Sequence, residues 1–271
     1  MSKHGSIGMV VAMAVAVGVS ARAQEAGTDA AAELAKKLAN PVAALISVPL
    51  QYNHDKDFGL DDEGSKSVLN IQPVIPFSLG EDWNLITRTI IPLIDQQDIP
   101  VQGEDASGLG DIVQSFFFSP KQPVGGWILA VGPVGLYPSA TDSMLGGEKW
   151  GAGPTVLALK QAGPWTVGFL GNHLWSFAGQ DDRSDISLSF VQPFVSYITK
   201  TKTTFGLNTE STYDWENEQW SVPVNATVSQ LLKVGSQIFQ IGVGARYWAD
   251  SPDNGPEGWG ARATLTFLFP K

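Results

Sequence analysis

From Phe205 to Phe269 apolar and polar residues alternate through four successive segments. In Trp220–Leu232, the residues Trp220, Val222, Val224, Ala226 and Val228 share one side, while Ser221, Asn225, Thr227 and Ser229 share the other. In Phe239–Trp248, Phe239, Ile241, Val243, Ala245 and Tyr247 lie opposite Gln240, Gly242, Gly244 and Arg246. A period of two with one apolar side is the signature of a half-buried strand. A membrane barrel turns that side to lipid and the polar side to a lumen; a soluble sheet turns it to a core. The stripes alone do not choose between the two.

The connections do choose. Runs of alternating or β-rich residues between turn signals predict about twelve strands. They are Val42–Asn53, Val68–Phe77, Trp83–Ile94, Gly110–Phe118, Trp127–Tyr137, Gly151–Lys160, Trp165–Phe177, Ile186–Thr199, Thr203–Trp215, Trp220–Leu232, Ile238–Trp248 and Ala261–Phe269. Every second link is short, and four of these five carry or adjoin a lysine (Lys121, Lys160, Lys200, Lys202, Lys233). The links between are mostly longer and acidic, with Asp55, Asp61, Asp62 and Glu63 in the first and Asp181, Asp182 and Asp185 in the fourth. Short periplasmic turns and long external loops give a barrel this segregation, and a soluble sandwich has no reason for it. Tryptophan, tyrosine and phenylalanine cluster near both strand ends, as interfacial belts require.

The start of the chain fixes the compartment. Lys3 and His4 precede an apolar run, Ile7–Val19, and then Ala21-Arg22-Ala23, the pattern of a secretory signal peptide ending at residue 23. That run is shorter than the roughly twenty residues a spanning helix needs. Residues 24–40 form an expected periplasmic leader with a short helix ending before Pro41. Residues 41–271 form the expected outer-membrane barrel of a Gram-negative bacterium. The expected fold class is thus all-β, an antiparallel transmembrane barrel.

Composition narrows function. Among 271 residues there is no cysteine, so no disulfide and no N-terminal lipid attachment site. A formal charge of −10 without Lys/Arg clusters excludes nucleic acid as partner. Eight prolines (Pro49, Pro73, Pro76, Pro92, Pro133, Pro154, Pro193, Pro223) fall inside predicted strands, where bulges or lumen-side irregularities are required to accommodate them.

Following the alternation inward gives a lumen-facing set: Asn70, Gln72, Arg88, Asp111, Asn208, Glu210, Asp214, Arg246 and Arg262, with Asn84, Asn225 and Gln240 beside them. Ionised groups in a membrane require partners or water, so their presence on one side implies a polar interior. Pairing of the three arginines with Glu210, Asp214 and Asp111 would fill and neutralise the barrel; otherwise they contact solute. About twelve strands lie between the filled small barrels and the open large ones, which points to a narrow or partly plugged pore for small solutes.

No cofactor is expected. Two histidines beyond the signal peptide, His54 and His173, and no cysteine cannot build a usual zinc or redox-metal site. Asp253-Asn254-Gly255 departs from EF-hand spacing and reads as a solvated turn. A Ser–His hydrolase on the wall would need His173 and Ser176, but their odd spacing points them to opposite faces. An enzyme is therefore not expected.

The runs NPVAALISVPLQYN, LNIQPVIPFSLGEDWNLITRTIIPLI, GEKWGAGPTVLALKQAGPWTVGFLGNHLWSFAG, NTESTYDWENEQWSVPVN and RYWADSPDNGPEGWGARATLTFLFPK resemble the transporters grouped with the phenol-degradation meta-pathway outer-membrane proteins, some of which carry the label neuromedin U. The resemblance spans nearly the whole mature chain. It implies passage of small aromatic or hydrophobic compounds and supplies no catalytic or binding motif. The expected partners are the lipid bilayer and lipopolysaccharide, a small-molecule solute and the outer-membrane insertion machinery. The competing expectation is a structural or surface-interaction protein with a plugged lumen and acidic external loops.

Overall fold

The computed structural model describes residues 33–269. The expected signal peptide, the first part of the leader and the last two residues lie outside the described residues. Fifteen β segments form one antiparallel sheet. They are β1 (Ile46–Phe58), β2 (Gly64–Ile71), β3 (Val74–Leu79), β4 (Trp83–Gln97), β5 (Ala106–Leu109), β6 (Ile112–Pro120), β7 (Ile128–Tyr137), β8 (Lys149–Ala162), β9 (Trp165–Gly179), β10 (Ser187–Ile198), β11 (Thr203–Thr209), β12 (Ser211–Asp214), β13 (Gln219–Val234), β14 (Gln237–Asp250) and β15 (Trp259–Phe269). Segments adjacent in the chain pair in turn, and β15 returns to β1 from Ile46↔Phe269 to His54↔Ala261, closing the ring. A closed ring has no unpaired edge, the condition for spanning lipid with strands. Three couples, β2/β3, β5/β6 and β11/β12, lie end to end against a shared neighbour. Each is one interrupted barrel strand, which leaves twelve.

The interruptions sit where prolines deny the ladder a donor. Pro73 follows Gln72 at the β2/β3 break, and the Gln72 N–H goes instead to the Pro49 carbonyl at 2.8 Å. Pro92 faces the β5/β6 break and accepts the Gly110 N–H at 2.9 Å. The β11/β12 break at Glu210 lies beside a register shift at Val222/Pro223. Pro133 and Pro154 are placed directly opposite each other. The irregularities expected from the in-strand prolines are thus concentrated at three kinks, and each kink carries a polar residue of the predicted lumen set: Gln72, Asp111 and Glu210.

Which face looks outward is settled by exposure. Val131 (57%), Val156 (44%), Val167 (51%), Phe169 (40%), Leu207 (50%) and Val243 (59%) stand exposed, while their chain neighbours are covered. Each such side chain left in water forgoes about 1.5–3 kcal/mol of burial, so this outer surface belongs in hydrocarbon. Trp83, Trp127, Trp165, Phe205 and Phe269 are exposed near the short-turn end, and Tyr52, Trp150, Trp175, Trp215, Trp220, Tyr247 and Trp259 near the long-loop end. These are the two aromatic belts of an outer-membrane barrel. Short turns and both described chain ends share one mouth, the periplasmic one in barrels of this class.

Two readings of the sequence require correction. The first strand begins at Ile46, not Val42, because residues 42–45 lie inside the periplasmic mouth. Val42 joins a buried cluster with Ile86, Phe117, Ala130, Leu157, Leu159 and Leu170. Leu34, Ala43 and Leu45 pack with Leu268. Among the described residues the leader's helix covers residues 33–38, and the Lys36 carbonyl accepts the Gln161 amide N–H at 2.8 Å. The second correction concerns the lumen, whose wall is not polar throughout. On β4 and β6 to β10 inward positions are largely apolar, including Val134, Leu136 and Leu174. Here both faces of the strands are apolar, so the alternation that marks β13 to β15 is missing from the sequence.

Candidate functional site: the barrel lumen

The polar half of the lumen is built by β1, β2, β11 to β15 and Arg88 of β4. Its centre is a brace. Arg262, on β15, donates from Nε to Asn53 Oδ1 at 2.7 Å on the adjacent strand. Its two terminal nitrogens reach across β14 and β13 to Glu210, Nη1 to Oε1 at 3.0 Å and Nη2 to Oε2 at 2.7 Å. A bidentate guanidinium–carboxylate pair is the strongest polar contact side chains form. The strand break at Glu210 turns this carboxylate inward, and the side chain of Arg262 is 4% exposed, so the pair is held away from bulk water.

A second pair lies toward the long loops. Arg246 Nε stands 3.5 Å from Asp55 Oδ1, and the same oxygen accepts the Trp248 indole N–H at 3.0 Å. The Arg246 guanidinium lies over the Trp248 ring, 4.6 Å from its centroid, a stabilising cation–π contact. Gly260 makes this possible, since a β-carbon there would overlap the Asp55 carboxylate. Trp248, an aromatic at the end of a predicted strand, is thereby turned into the lumen and not toward the lipid interface. Asn225, fully buried, donates to Asn208 Oδ1 at 2.9 Å between the two pairs.

Arg88 differs from the other two arginines. Its Nη2 donates to the neutral amide oxygen of Gln72 at 2.7 Å, and among the described residues it forms no ion pair. Lys66 points inward on β2 near Asp55. The central lumen therefore sets Lys66, Arg88, Arg246 and Arg262 against Asp55 and Glu210, an excess of positive charge.

Open space follows these residues along the axis. A cavity of about 360 Å³ near the long loops lies beside Asp55, Lys66, Arg246 and Trp248. A central cavity of about 290 Å³ has Asn70, Gln72, Arg88 and Glu210 on one side and Leu170, Leu174, Leu188 and Phe190 on the other. The two share Gln51, Asn70, Phe190 and Glu210. Toward the periplasm, cavities of about 200 and 240 Å³ are bordered by Leu38 and Pro41 of the leader, and Gln72, Arg88 and Gln192 connect the first of them to the centre. Water-sized space thus runs past a cationic polar wall on one side and an aliphatic and aromatic wall on the other.

Of the predicted lumen set, the structure brings Asn70, Gln72, Arg88, Asn208, Glu210, Arg246 and Arg262 to this column. Asp111 and Asp214 do not join it, which corrects their expected pairing with arginines. The Asp111 carboxylate accepts the N–H groups of Ala140 and Gly147, at 3.1 and 2.7 Å, and ties down the 138–148 loop at the long-loop end. Asp214 accepts from Glu216 and Asn217 and caps the next loop. Asp55 was grouped with the acidic loops because β1 continues past its predicted end; Asn53 lay at that end and carried no charge to mark it.

External loops are cross-tied above the column. Arg183 donates to the carbonyls of Ser143 and Gly146, at 2.8 and 2.5 Å, and stands 3.3 Å from Glu148. Asp185 accepts from Ser176 Oγ at 3.1 Å and lies 3.3 Å from Lys149 Nζ. That hydroxyl and that ammonium hold its carboxyl below the usual aspartate value.

His173 faces outward, as its exposed neighbours on alternate positions require. Its cross-strand partner is Ser189, 2.8 Å from Nδ1, and not Ser176. The Ser189 hydroxyl also accepts the Trp215 indole N–H at 2.9 Å. No carboxylate orients the imidazole among the described contacts, so the arrangement lacks the third member of a hydrolytic triad.

No protein-family model matches the chain. A search of characterised proteins finds no match either. Solved structures do resemble it. An outer membrane channel from Pseudomonas putida F1 superposes with a TM-score of 0.66 at 15% identity, over 83% of this chain and 96% of that one. The NanC porin superposes with a TM-score of 0.51 at 10% identity, over 83% of this chain and all of its own. At such identities the likeness is one of fold, that of a Gram-negative outer-membrane barrel.

Proposed function

We propose that the protein is an outer-membrane channel for small solutes that combine an apolar body with a polar or anionic group. The observation that carries this reading is the two-sided column of cavities: Arg88 and its amide neighbours face Leu170, Leu174 and Phe190 across about 290 Å³. An apolar body gains from the aliphatic wall, and an anionic group gains from the uncompensated guanidinium, so one solute can satisfy both sides. The resemblance to phenol-degradation meta-pathway outer-membrane proteins and the fold shared with a channel and a porin support the same reading.

A second reading, a plugged structural protein, is favoured by one observation. Leader residues 34–45 pack inside the periplasmic mouth, and Asp111 ties the 138–148 loop at the other end. Planar-bilayer recording and liposome swelling separate the two. A channel gives discrete conductance steps and swelling with small carboxylates. Absence of both assigns the barrel to the structural class.

A further inference from the structure

Ladder pairs are missing at several places in the barrel wall, and at one of them, between β10 and the β11/β12 break, apolar space lies directly outside the lapse. β10 pairs with β11 as far as Phe194↔Asn208 and with β12 from Val191↔Ser211 onward. Between these rungs Gln192 and Pro193 face Thr209 and Glu210 with no ladder pair. One feature leaves the seam short of a bond: Pro193 has no N–H to donate, while the Glu210 N–H, by the regular alternation of the ladder, serves the other neighbour and bonds the Pro223 carbonyl of β13 at 3.3 Å.

The four residues at the lapse look into two different spaces. Gln192 and Glu210 border the central cavity. Pro193 and Thr209 border a lipid-facing groove of about 350 Å³, otherwise walled by Val167, Val195, Leu207 and Val224. Phe194 and Asn208, the last paired rung, border both this groove and the periplasmic-side cavity. One rung and one lapse are all that separate lumen from hydrocarbon here.

We infer that this seam is a lateral route by which an apolar solute passes between the lumen and the bilayer, the groove receiving its apolar body. The inference rests on the channel reading above. A solute leaving along the axis must expose its apolar surface to water again, whereas one leaving through the seam does not. Ions gain little from the groove, where Thr209 and Asn208 are the only polar residues on its border and the Asn208 amide oxygen already accepts from Asn225, so axial conductance and lateral release are separable.

The chain has no cysteine, so a staple is clean. Val195 and Leu207 are register partners across the seam, and Val228 and Val243 are register partners on an uninterrupted stretch of β13 and β14. Intact cells producing the full chain are given 1-N-phenylnaphthylamine, an uncharged aryl dye that fluoresces on reaching an apolar bilayer. The oxidised Val195→Cys/Leu207→Cys variant is expected to lose the protein-dependent uptake and to regain it on reduction. The Val228→Cys/Val243→Cys variant should keep it throughout, and both should retain the parent's ion conductance. Pro193→Val, which returns an N–H to the ladder without a staple, should also lower dye uptake. Dye uptake that survives both the seam staple and Pro193→Val, or conductance that falls in step with uptake, overturns the lateral route while leaving the channel reading in place. A parent protein that neither conducts nor accelerates uptake sinks the channel reading itself.

Discussion

Replacing Arg88 by glutamine tests the cationic wall with least damage to it. Arg246 stands beside Asp55 and Arg262 is locked to Glu210, so removing either leaves a carboxylate unpaired. Arg88 leans on a neutral amide, Gln72 Oε1 at 2.7 Å, and glutamine in its place leaves no orphaned charge. The magnitude follows from Coulomb's law. A unit anion passing at about 4 Å from the guanidinium gains roughly 1 kcal/mol if the lumen behaves as bulk water and roughly 4 kcal/mol at an effective dielectric of about 20. Salt at about 0.1 M, with a screening length near 10 Å, removes only a minor part of this at such short range. Even the lower figure corresponds to about a fivefold change in anion preference. The reversal potential across a potassium chloride gradient in planar bilayers should therefore shift toward the cation side in Arg88→Gln, by an amount equal to a fall of at least about fivefold in the anion-to-cation permeability ratio. Arg88→Lys, which keeps the charge, should stay near the parent value. A conducting Arg88→Gln protein with an unshifted reversal potential would refute the argument that permeating ions see this side chain.

Glu210→Gln breaks the bidentate brace and leaves Arg262 buried without its partner, a loss of about 3–5 kcal/mol. The unfolding temperature seen as a gel-mobility shift on heating should drop, and Glu210→Gln/Arg262→Met should recover part of it; an unchanged midpoint in the single variant would mean that water takes over the carboxylate's role. Leu38→Asp places a charge among the apolar contacts of the leader at Leu231 and Ile238, forfeiting about 1.5–3 kcal/mol of burial, and should raise single-channel conductance by releasing the leader from the mouth. Val156→Arg puts a cation on the lipid face and should lower barrel stability by about 2–4 kcal/mol if it lies near the bilayer midplane, measured by urea unfolding in liposomes. Asp185 has a folded-state value below its unfolded one, so its contribution to loop order is present above the usual aspartate range and is lost as pH falls through the lowered value. Hydrogen exchange at Ser176 and Ile186, whose amides close this loop, should stay slow at neutral pH, and Asp185→Asn should speed it there.

The sequence by itself determined the barrel, because strand alternation, loop length and loop charge are local properties that the bilayer and its two aqueous faces impose independently. It also placed Arg88, Glu210, Arg246 and Arg262 on the inner face, since a period of two carries side-chain direction without knowledge of partners. What only the tertiary structure decided is which strands meet across the lumen. Glu210 and Arg262 are separated by 52 positions in the chain and touch because ring closure brings β15 over β14 and β13 toward the β11/β12 break. Asp55 became a lumen residue only because β1 runs on past Asn53, and Asp111 left the arginines because a loop folded back onto it. The apolar half of the lumen was hidden for a different reason. Where both faces of a strand are apolar the period vanishes, and only closure assigns one face to lipid and the other to the leader and the cavities.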